Sequence, residues 1–248
     1  MKVVLVTGAS RGIGAATALL AARSGYAVGV NYVERGERAQ RIVEQIRAAG
    51  GTAVALQADT SDEAQVVGMF ERVERELGPL TALVNNAGIV GRPGRLEDCD
   101  ADGLRRLFDV NVIGLMLCAR AAIARLSTAR GGRGGSIVNI SSIAATLGGA
   151  NRWLAYAASK GAVNTLTIGL AQEVGGEGIR VNAVSPGLID TDIRAAAGVD
   201  PRVDAAIVAQ VPLGRIGTPQ ECAEAIVWLL SEAAAYISGA ILPLTGGR

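Results

Sequence analysis

The chain contains no histidine. That absence excludes histidine-based nucleophile pairs, histidine general bases and every histidine-bearing metal site. Cysteine is scarce: Cys99, Cys118 and Cys222 are three in number and far apart. Neither a disulfide framework nor a four-cysteine zinc site can be made from them, and a reducing compartment, the cytoplasm, is expected. Charge of one sign is lacking, since 24 basic and 23 acidic residues leave a formal net charge of +1. Such a balance gives no broad attraction to nucleic acid or to an anionic membrane, and neither is expected as a partner. Long apolar runs are missing. The run at 3–6 is ended by Thr7-Gly8, and the stretch 110–124 is interrupted by Asn111, Gly114 and Arg120, so neither reads as a signal peptide or a bilayer span. Lysine is nearly absent too: among the 24 basic residues only Lys2 and Lys160 are lysines, and the rest are arginines.

What is present is a core. The chain has 248 residues, 50% of them hydrophobic, and a chain of that length buries roughly three quarters of its unfolded surface. Short apolar runs at 3–7, 27–32, 52–57, 81–84, 136–140, 180–184 and 240–244 are rich in Val, Ile and Leu and do not alternate. That is the pattern of strands covered on both faces. Between them lie helical segments near 13–24, 36–49, 62–77, 101–126, 154–175 and 219–231. In the third of these, Glu71, Arg72, Glu74, Arg75 and Glu76 mark a solvated face opposite Val66, Val67, Phe70 and Val73. The glycine-rich stretch 130–135 is too short to separate domains. Strand alternating with helix predicts right-handed βαβ units and one α/β domain, a doubly wound, Rossmann-type parallel sheet of seven strands.

The first strand runs straight into Thr7-Gly8-Ala9-Ser10-Arg11-Gly12-Ile13-Gly14 and then into a helix. Glycines in that context allow a tight turn and a close backbone approach to a pyrophosphate, which the helix N-terminus then holds. A second constellation is Tyr156-Ala157-Ala158-Ser159-Lys160, which sets a phenol and an ammonium one helical turn apart on one face. A free tyrosine titrates near 10, and a neighbouring positive charge is expected to bring that value down toward the working range. In a chain written almost entirely with arginine, a lysine at this place is informative, because a compact ammonium is tunable and a guanidinium is not. The third element is the strand 136–140, followed by Ser141 and Ser142, which lies fourteen residues before Tyr156. Ligands sit beyond the carboxyl ends of such strands.

Taken together these motifs resemble the short-chain dehydrogenase/reductase family, in its single-domain form, over nearly the whole chain. Thr7-Gly8-x-x-x-Gly12-Ile13-Gly14 resembles its cofactor turn, and Asn85-Asn86-Ala87-Gly88 its strand-four motif. Tyr156-x-x-x-Lys160 resembles its catalytic pair, and Pro186-Gly187-Leu188-Ile189-Asp190-Thr191 its nicotinamide-side loop. The ending Thr245-Gly246-Gly247 departs from the family's habit of an acidic residue before the glycines. The resemblance implies Tyr156 as general acid/base, Lys160 as its pKa-lowering partner and ribose ligand, Ser142 as a hydrogen bond to the substrate oxygen, and Asn111 as holder of a relay water. It further implies a cofactor site made by Gly8, Ser10, Arg11, Gly12, Ile13, Gly14, Asn31, Tyr32, Asp59, Thr60, Asn85, Ala87, Gly88, Tyr156, Lys160, Pro186, Gly187, Ile189 and Thr191. The implied reaction is hydride transfer between a nicotinamide and a ketone or secondary alcohol, and the implied assembly is a homotetramer. A dinucleotide-binding sensor or scaffold would have no need of the full Asn111, Ser142, Tyr156, Lys160 set. An extended-family epimerase would want more chain after Pro186.

Cofactor preference is read at the end of the second strand, where NAD-selective sites carry an acid. Here Asn31-Tyr32 stand there, with Arg11 in the glycine turn and Arg35 beyond, so NADP(H) is expected over NAD(H). Glu34 stands close to the spacing of an NAD-type carboxylate and is expected to point to solvent, and NAD(H) use stays open. The substrate pocket is expected between 90–98, 146–154 and a substrate loop at 188–214. Leu147, Trp153, Leu154 and Leu188 would make it apolar, and Arg92, Arg152 and Arg194 are candidate anion contacts.

Overall fold

Apolar residues follow one another without interruption from Val3 to Val6, and all four are buried. A strand can bury consecutive residues only if both of its faces are covered, and the computed structural model, which describes residues 2–191 and 208–248, shows how. In chain order the main elements are β1 (Lys2–Val6), α1 (Gly12–Arg23), β2 (Tyr26–Tyr32), α2 (Gly36–Ala48), β3 (Ala53–Gln57), α3 (Glu63–Leu77), β4 (Ala82–Asn85), α4 (Ala101–Phe108), α5 (Gly114–Leu126), β5 (Gly135–Ile140), α6 (Ala144–Leu147), α7 (Leu154–Val174), β6 (Ile179–Pro186), α8 (Pro219–Leu230) and β7 (Ile241–Leu244). The strands form one parallel, doubly wound sheet in the order β3-β2-β1-β4-β5-β6-β7. Val4 of β1 stands beside Val28 of β2 on one side and Ala82 of β4 on the other.

The two faces divide the core. Val4 and Val6 pack with Ala18, Ala21, Val43, Ile46, Ile226 and Leu229 of α1, α2 and α8. Val3 and Leu5 pack with Phe70, Cys118, Leu126 and Val174 of α3, α5 and α7. The strand order reverses between β1 and β4, which opens a crevice beyond the carboxyl ends of the central strands. β7 closes one edge of the sheet, and its Pro243 is exposed.

Three expectations are adjusted. Val67 of α3 is exposed, whereas Val66, Phe70 and Val73 are buried, so the apolar stripe is narrower than the sequence suggests. β6 continues past Val184 to Pro186, whose residue pairs with Leu244 at the sheet margin, where a missing N–H is tolerated. The segment 101–126 is one helix interrupted by a π-helical turn, Asp109–Ile113. By length and composition it is apolar enough to cross a membrane, and 44% of its most apolar window is buried in the fold. The helix runs on through Asn111, which is buried in the π turn, through the buried Gly114, and through Arg120, which reaches out to pair with Glu63.

Candidate active site

The turn after β1 is fixed by asparagines. Asn31, buried at the end of β2, accepts the Gly8 N–H on Oδ1 at 3.0 Å. Its Nδ2 donates to Leu56 and Ala58 carbonyls at 3.2 and 3.0 Å, so one side chain ties β2, β3 and the glycine turn together. Asn86 donates through Nδ2 to the carbonyls of Thr7 and Gly8, while Thr7 Oγ1 accepts the N–H groups of Asn86 and Ala87 at 2.9 and 3.0 Å. Gly8 has φ +61°, and a Cβ there would lie 2.9 Å from Ala87 Cα. A Cβ on Gly14 would lie 2.5 Å from Asn86 Nδ2. Only glycine fits these two positions.

α1 begins at this turn with Arg11 as its N-cap; no side chain caps it, and no acidic residue stands in its first turn. Its unpaired N–H groups and dipole are therefore available to an anion. A cavity of about 510 Å³ extends from here across the carboxyl ends of the sheet. A dinucleotide fits it on this observation: Gly12, at φ +54°, leaves open the space toward Thr191 that a Cβ would enter to within 3.4 Å of the threonine methyl.

The far end is made by β5 and α7. Ser142 follows β5 and accepts the Ala144 N–H at 3.2 Å, and its hydroxyl stands near enough to the phenol of Tyr156 to favour the phenolate. Burial holds the Tyr156 phenol above its ordinary value. Lys160 is buried beneath, its Nζ 5.9 Å from the Tyr156 ring centroid and donating to the Ile140 carbonyl at 2.7 Å. Burial pulls the lysine down to about 8. Desolvation is the larger influence at Tyr156 and Ser142 opposes it, while the Lys160 ammonium gives one of its three donors to the Ile140 carbonyl.

Asn111 sits in the π turn, fully buried. Its Oδ1 accepts the Ile89 N–H at 2.8 Å, and its Nδ2 donates to the Ile89 carbonyl at 2.8 Å and to Ser159 Oγ at 3.0 Å. Ser159 Oγ in turn donates to the Tyr156 carbonyl at 2.7 Å. The side chain thus braces the turn of α7 that carries Tyr156 and Lys160. On the next turn Ser141 Oγ donates to Asn164 Oδ1 at 2.6 Å.

Of the residues singled out from sequence, the cavity brings together Gly8, Ser10, Arg11, Gly12, Ile13, Tyr32, Asp59, Thr60, Ala87, Gly88, Ser142, Tyr156, Lys160, Pro186, Gly187, Ile189 and Thr191. Gly14, Asn31, Asn85 and Asn111 are not on its walls. Asn85 is buried, donating to Asn139 Oδ1 at 3.0 Å, and among the described residues its own Oδ1 has no partner. Asp59 is partly buried; burial raises its carboxyl, but hydrogen bonds from Ser61 and Arg106 outweigh that and hold it low. Glu34 lies beyond β2 and is exposed, yet it borders the cavity beside Arg35 rather than turning away from it. Trp153 and Leu188 line the pocket, whereas Leu147 and Leu154 are exposed outside it. Arg194 and most of the loop 188–214 lie outside the described residues.

Sequence reasoning missed Ser141 and Ser159 as supports, though both stand inside the motifs it used. A hydroxyl between the phenol and the lysine on a buried face was a usable signal. Arg106 and Val110 reach the cavity only because α4 and the π turn fold back over it, and no local pattern announces that.

Sheet and site together define a doubly wound oxidoreductase architecture. The family model described as enoyl-(acyl carrier protein) reductase matches residues 8–248. YgfF, an uncharacterized oxidoreductase of Escherichia coli, is 49% identical over 248 residues, which is 100% of both chains. The cis-4-hydroxycyclohexanecarboxylate dehydrogenase of Sinomonas cyclohexanicum is 41% identical over 99% of this chain and 96% of its own length. A short-chain dehydrogenase of Burkholderia cenocepacia, solved in complex with NADP, superposes with a TM-score of 0.91 at 37% identity, covering 99% of this chain and 97% of that one. The chain belongs to the short-chain dehydrogenase/reductase family of oxidoreductases.

Proposed function

We infer that the protein interconverts a ketone and a secondary alcohol with a nicotinamide dinucleotide, Tyr156 moving the proton. The observation that carries this is the pairing of Ser142 with the Tyr156 phenol over a buried Lys160. That group stands in the same cavity as the uncapped N-terminus of α1. The bound cofactor supplies hydride chemistry. Ser142 orients the carbonyl oxygen; the phenol, held protonated by burial, gives its proton to that oxygen in reduction and becomes the phenolate, and in oxidation the phenolate takes the hydroxyl proton. Lys160, on the wall of the same cavity, would meet the cofactor's ribose and supplies positive charge below its own value of about 8. Gly8, Gly12 and the first turn of α1 would hold the pyrophosphate.

At the adenosine end, Arg11 and Arg35 favour a 2′-phosphate, and Glu34 favours a 2′-hydroxyl. Two cations against one anion support a preference for NADP(H) with residual use of NAD(H). Phe108, Ile113, Met116, Leu154 and Ile168 of α4, the π turn, α5 and α7 are exposed apolar side chains, which supports a homo-oligomer, a tetramer, working in the cytoplasm on a small molecule. The test is a panel of ketones and alcohols with each cofactor, followed by nicotinamide absorbance, alongside cofactor titration by fluorescence. Oxidoreduction with at least one ketone is expected. Cofactor binding with no turnover of any panel member by wild type would favour the sensor instead. A light-scattering mass of a monomer at micromolar concentration overturns the oligomer.

A further inference from the structure

The cavity that holds Tyr156 has apolar side chains on its wall, among them Val90, Val110, Ala144, Trp153 and Leu188. One guanidinium stands among them. Arg152 lines the same wall, and its Cζ lies 5.5 Å from the centroid of the Trp153 ring. Its backbone is tied on both sides: its N–H donates to the Gly149 carbonyl at 3.3 Å, and its carbonyl accepts the Gly94 N–H at 3.1 Å. Stacking engages the face of a guanidinium and leaves its edge N–H donors available. Among the described residues, no carboxylate or carbonyl takes a hydrogen bond from those donors. By contrast, Arg106 on the same cavity is engaged by Asp59 and Ser61.

Arg152 is also at the wrong end to serve the adenosine phosphates. The glycine turn follows β1 and the arginine pair Arg11 and Arg35 flanks β2, whereas Arg152 stands with Ser142 and Tyr156 beyond β5. β2 and β5 are separated by β1 and β4, so the two ends are three strand spacings, about 14 Å, apart. An available guanidinium in the cavity of the proton-transferring phenol, four residues before it in the chain, calls for an anion belonging to the substrate.

We propose that Arg152 binds a carboxylate of the substrate, so that the protein acts on keto acids and hydroxy acids in which a ring or short chain, packed on Trp153, separates the carboxylate from the reacting carbon. This rests on the role given to Tyr156 above. The planar fork recognises the carboxylate, Trp153 takes the apolar spacer, and Ser142 with Tyr156 meets the carbonyl.

Matched pairs test it: 4-acetylbenzoate against its methyl ester, and 5-oxohexanoate against its methyl ester, compared by kcat/KM at pH 7 with saturating cofactor. Wild type is expected to favour the acids by about tenfold or more, as a charge-assisted hydrogen bond would give. Arg152→Gln should bring the acid-to-ester ratio close to one through the KM of the acid, and Arg152→Lys should restore part of it. Arg92→Gln, at an exposed position outside the wall, should keep it. Equal use of acid and ester by wild type, or a ratio that survives Arg152→Gln, overturns the proposal. Binding is read separately by titrating 4-isopropylbenzoate, which has no carbonyl to reduce, into the cofactor-loaded protein by calorimetry. Affinity at least about tenfold weaker in Arg152→Gln than in wild type is expected. Arg152-dependent binding without turnover of any ketone would sustain the anion site and sink the role of Tyr156. Turnover of esters without Arg152-dependent binding would do the reverse, and absence of both overturns the anion site.

Discussion

At the β1–β2 end of the cavity the chain presents backbone: glycines at positive φ, the bare N-terminus of α1, and amides locked by Asn31 and Asn86. At the β5–α7 end it presents ionisable side chains whose protons are shifted by burial, Tyr156 upward and Lys160 downward. The first end is fixed by sterics and hydrogen-bond saturation, and the second is poised by desolvation. Substitutions should therefore fail in different ways at the two ends, geometry and binding at one, proton chemistry at the other.

The largest expected effect breaks the second end alone. Tyr156→Phe removes one oxygen and should lower kcat by about 10² to 10⁴, with the cofactor dissociation constant, measured by fluorescence titration, within about twofold of wild type. A loss of cofactor affinity matching the loss of rate would erase the distinction between the ends.

Next comes the pH dependence of stability. Lys160 has a folded value of about 8, below its ordinary 10.5. Between those limits the unfolded chain holds a proton that the folded chain has released, so stability rises with pH across the window. Below the lower limit the folded state bears the full cost of a buried charge. The rise is on the order of 3 kcal/mol; it should be present in wild type and absent from Lys160→Met, and so appear as the difference between them in urea melts from pH 7.5 to 10. Equal pH slopes in the two proteins would show that the lysine is not desolvated. The same variant should shift the alkaline limb of the rate profile in whatever activity survives.

At the glycine end the effect is smaller and structural. Asn31→Ala strands the Gly8 N–H and the carbonyls of Leu56 and Ala58, which costs about 1–3 kcal/mol in denaturant unfolding. Cofactor affinity should fall with it, while the pH profile of kcat stays put. A moved pH profile would mean that the two ends are coupled.

The smallest effect sharpens the contrast within the first end. Arg11→Ala should reduce the preference for NADP(H) over NAD(H) by about tenfold, or 1.4 kcal/mol, read as the ratio of kcat/KM values. A preference for NAD(H) in wild type, or an unchanged ratio, would assign the discrimination to Glu34.

The contrast also explains what the sequence revealed. Strand runs and glycine spacing obey local rules, so every strand and the turn after β1 were legible to within about two residues. Tyr156, Ser142 and Lys160 were legible because spacing on a helix face and position at a strand end are local facts. The partners of Asn31, Asn85 and Asn111 were not, since each is satisfied by groups distant in sequence: Ala58, Asn139 and Ile89. Polar residues at the ends of buried strands read as ligand contacts when only the strand is known. In the folded chain they brace the backbone from behind, and the cavity is walled instead by residues such as Val110 and Arg106 that arrive from the overlying helix.

One feature at the sheet margin bears on how the molecule behaves in a crowd. The N–H groups of Ala183 and Gly187 reach the carbonyls of Ala240 and Leu244. In a parallel ladder the backbone of alternate residues faces opposite sides, so Pro243 directs its nitrogen toward the open edge, where it has no hydrogen to give. A stray strand approaching that side meets a gap in the row of donors where a continuous ladder would otherwise grow. Pro243→Val would restore the row, and the cost would surface as slow aggregation of partly unfolded material, with the folded chain itself little changed.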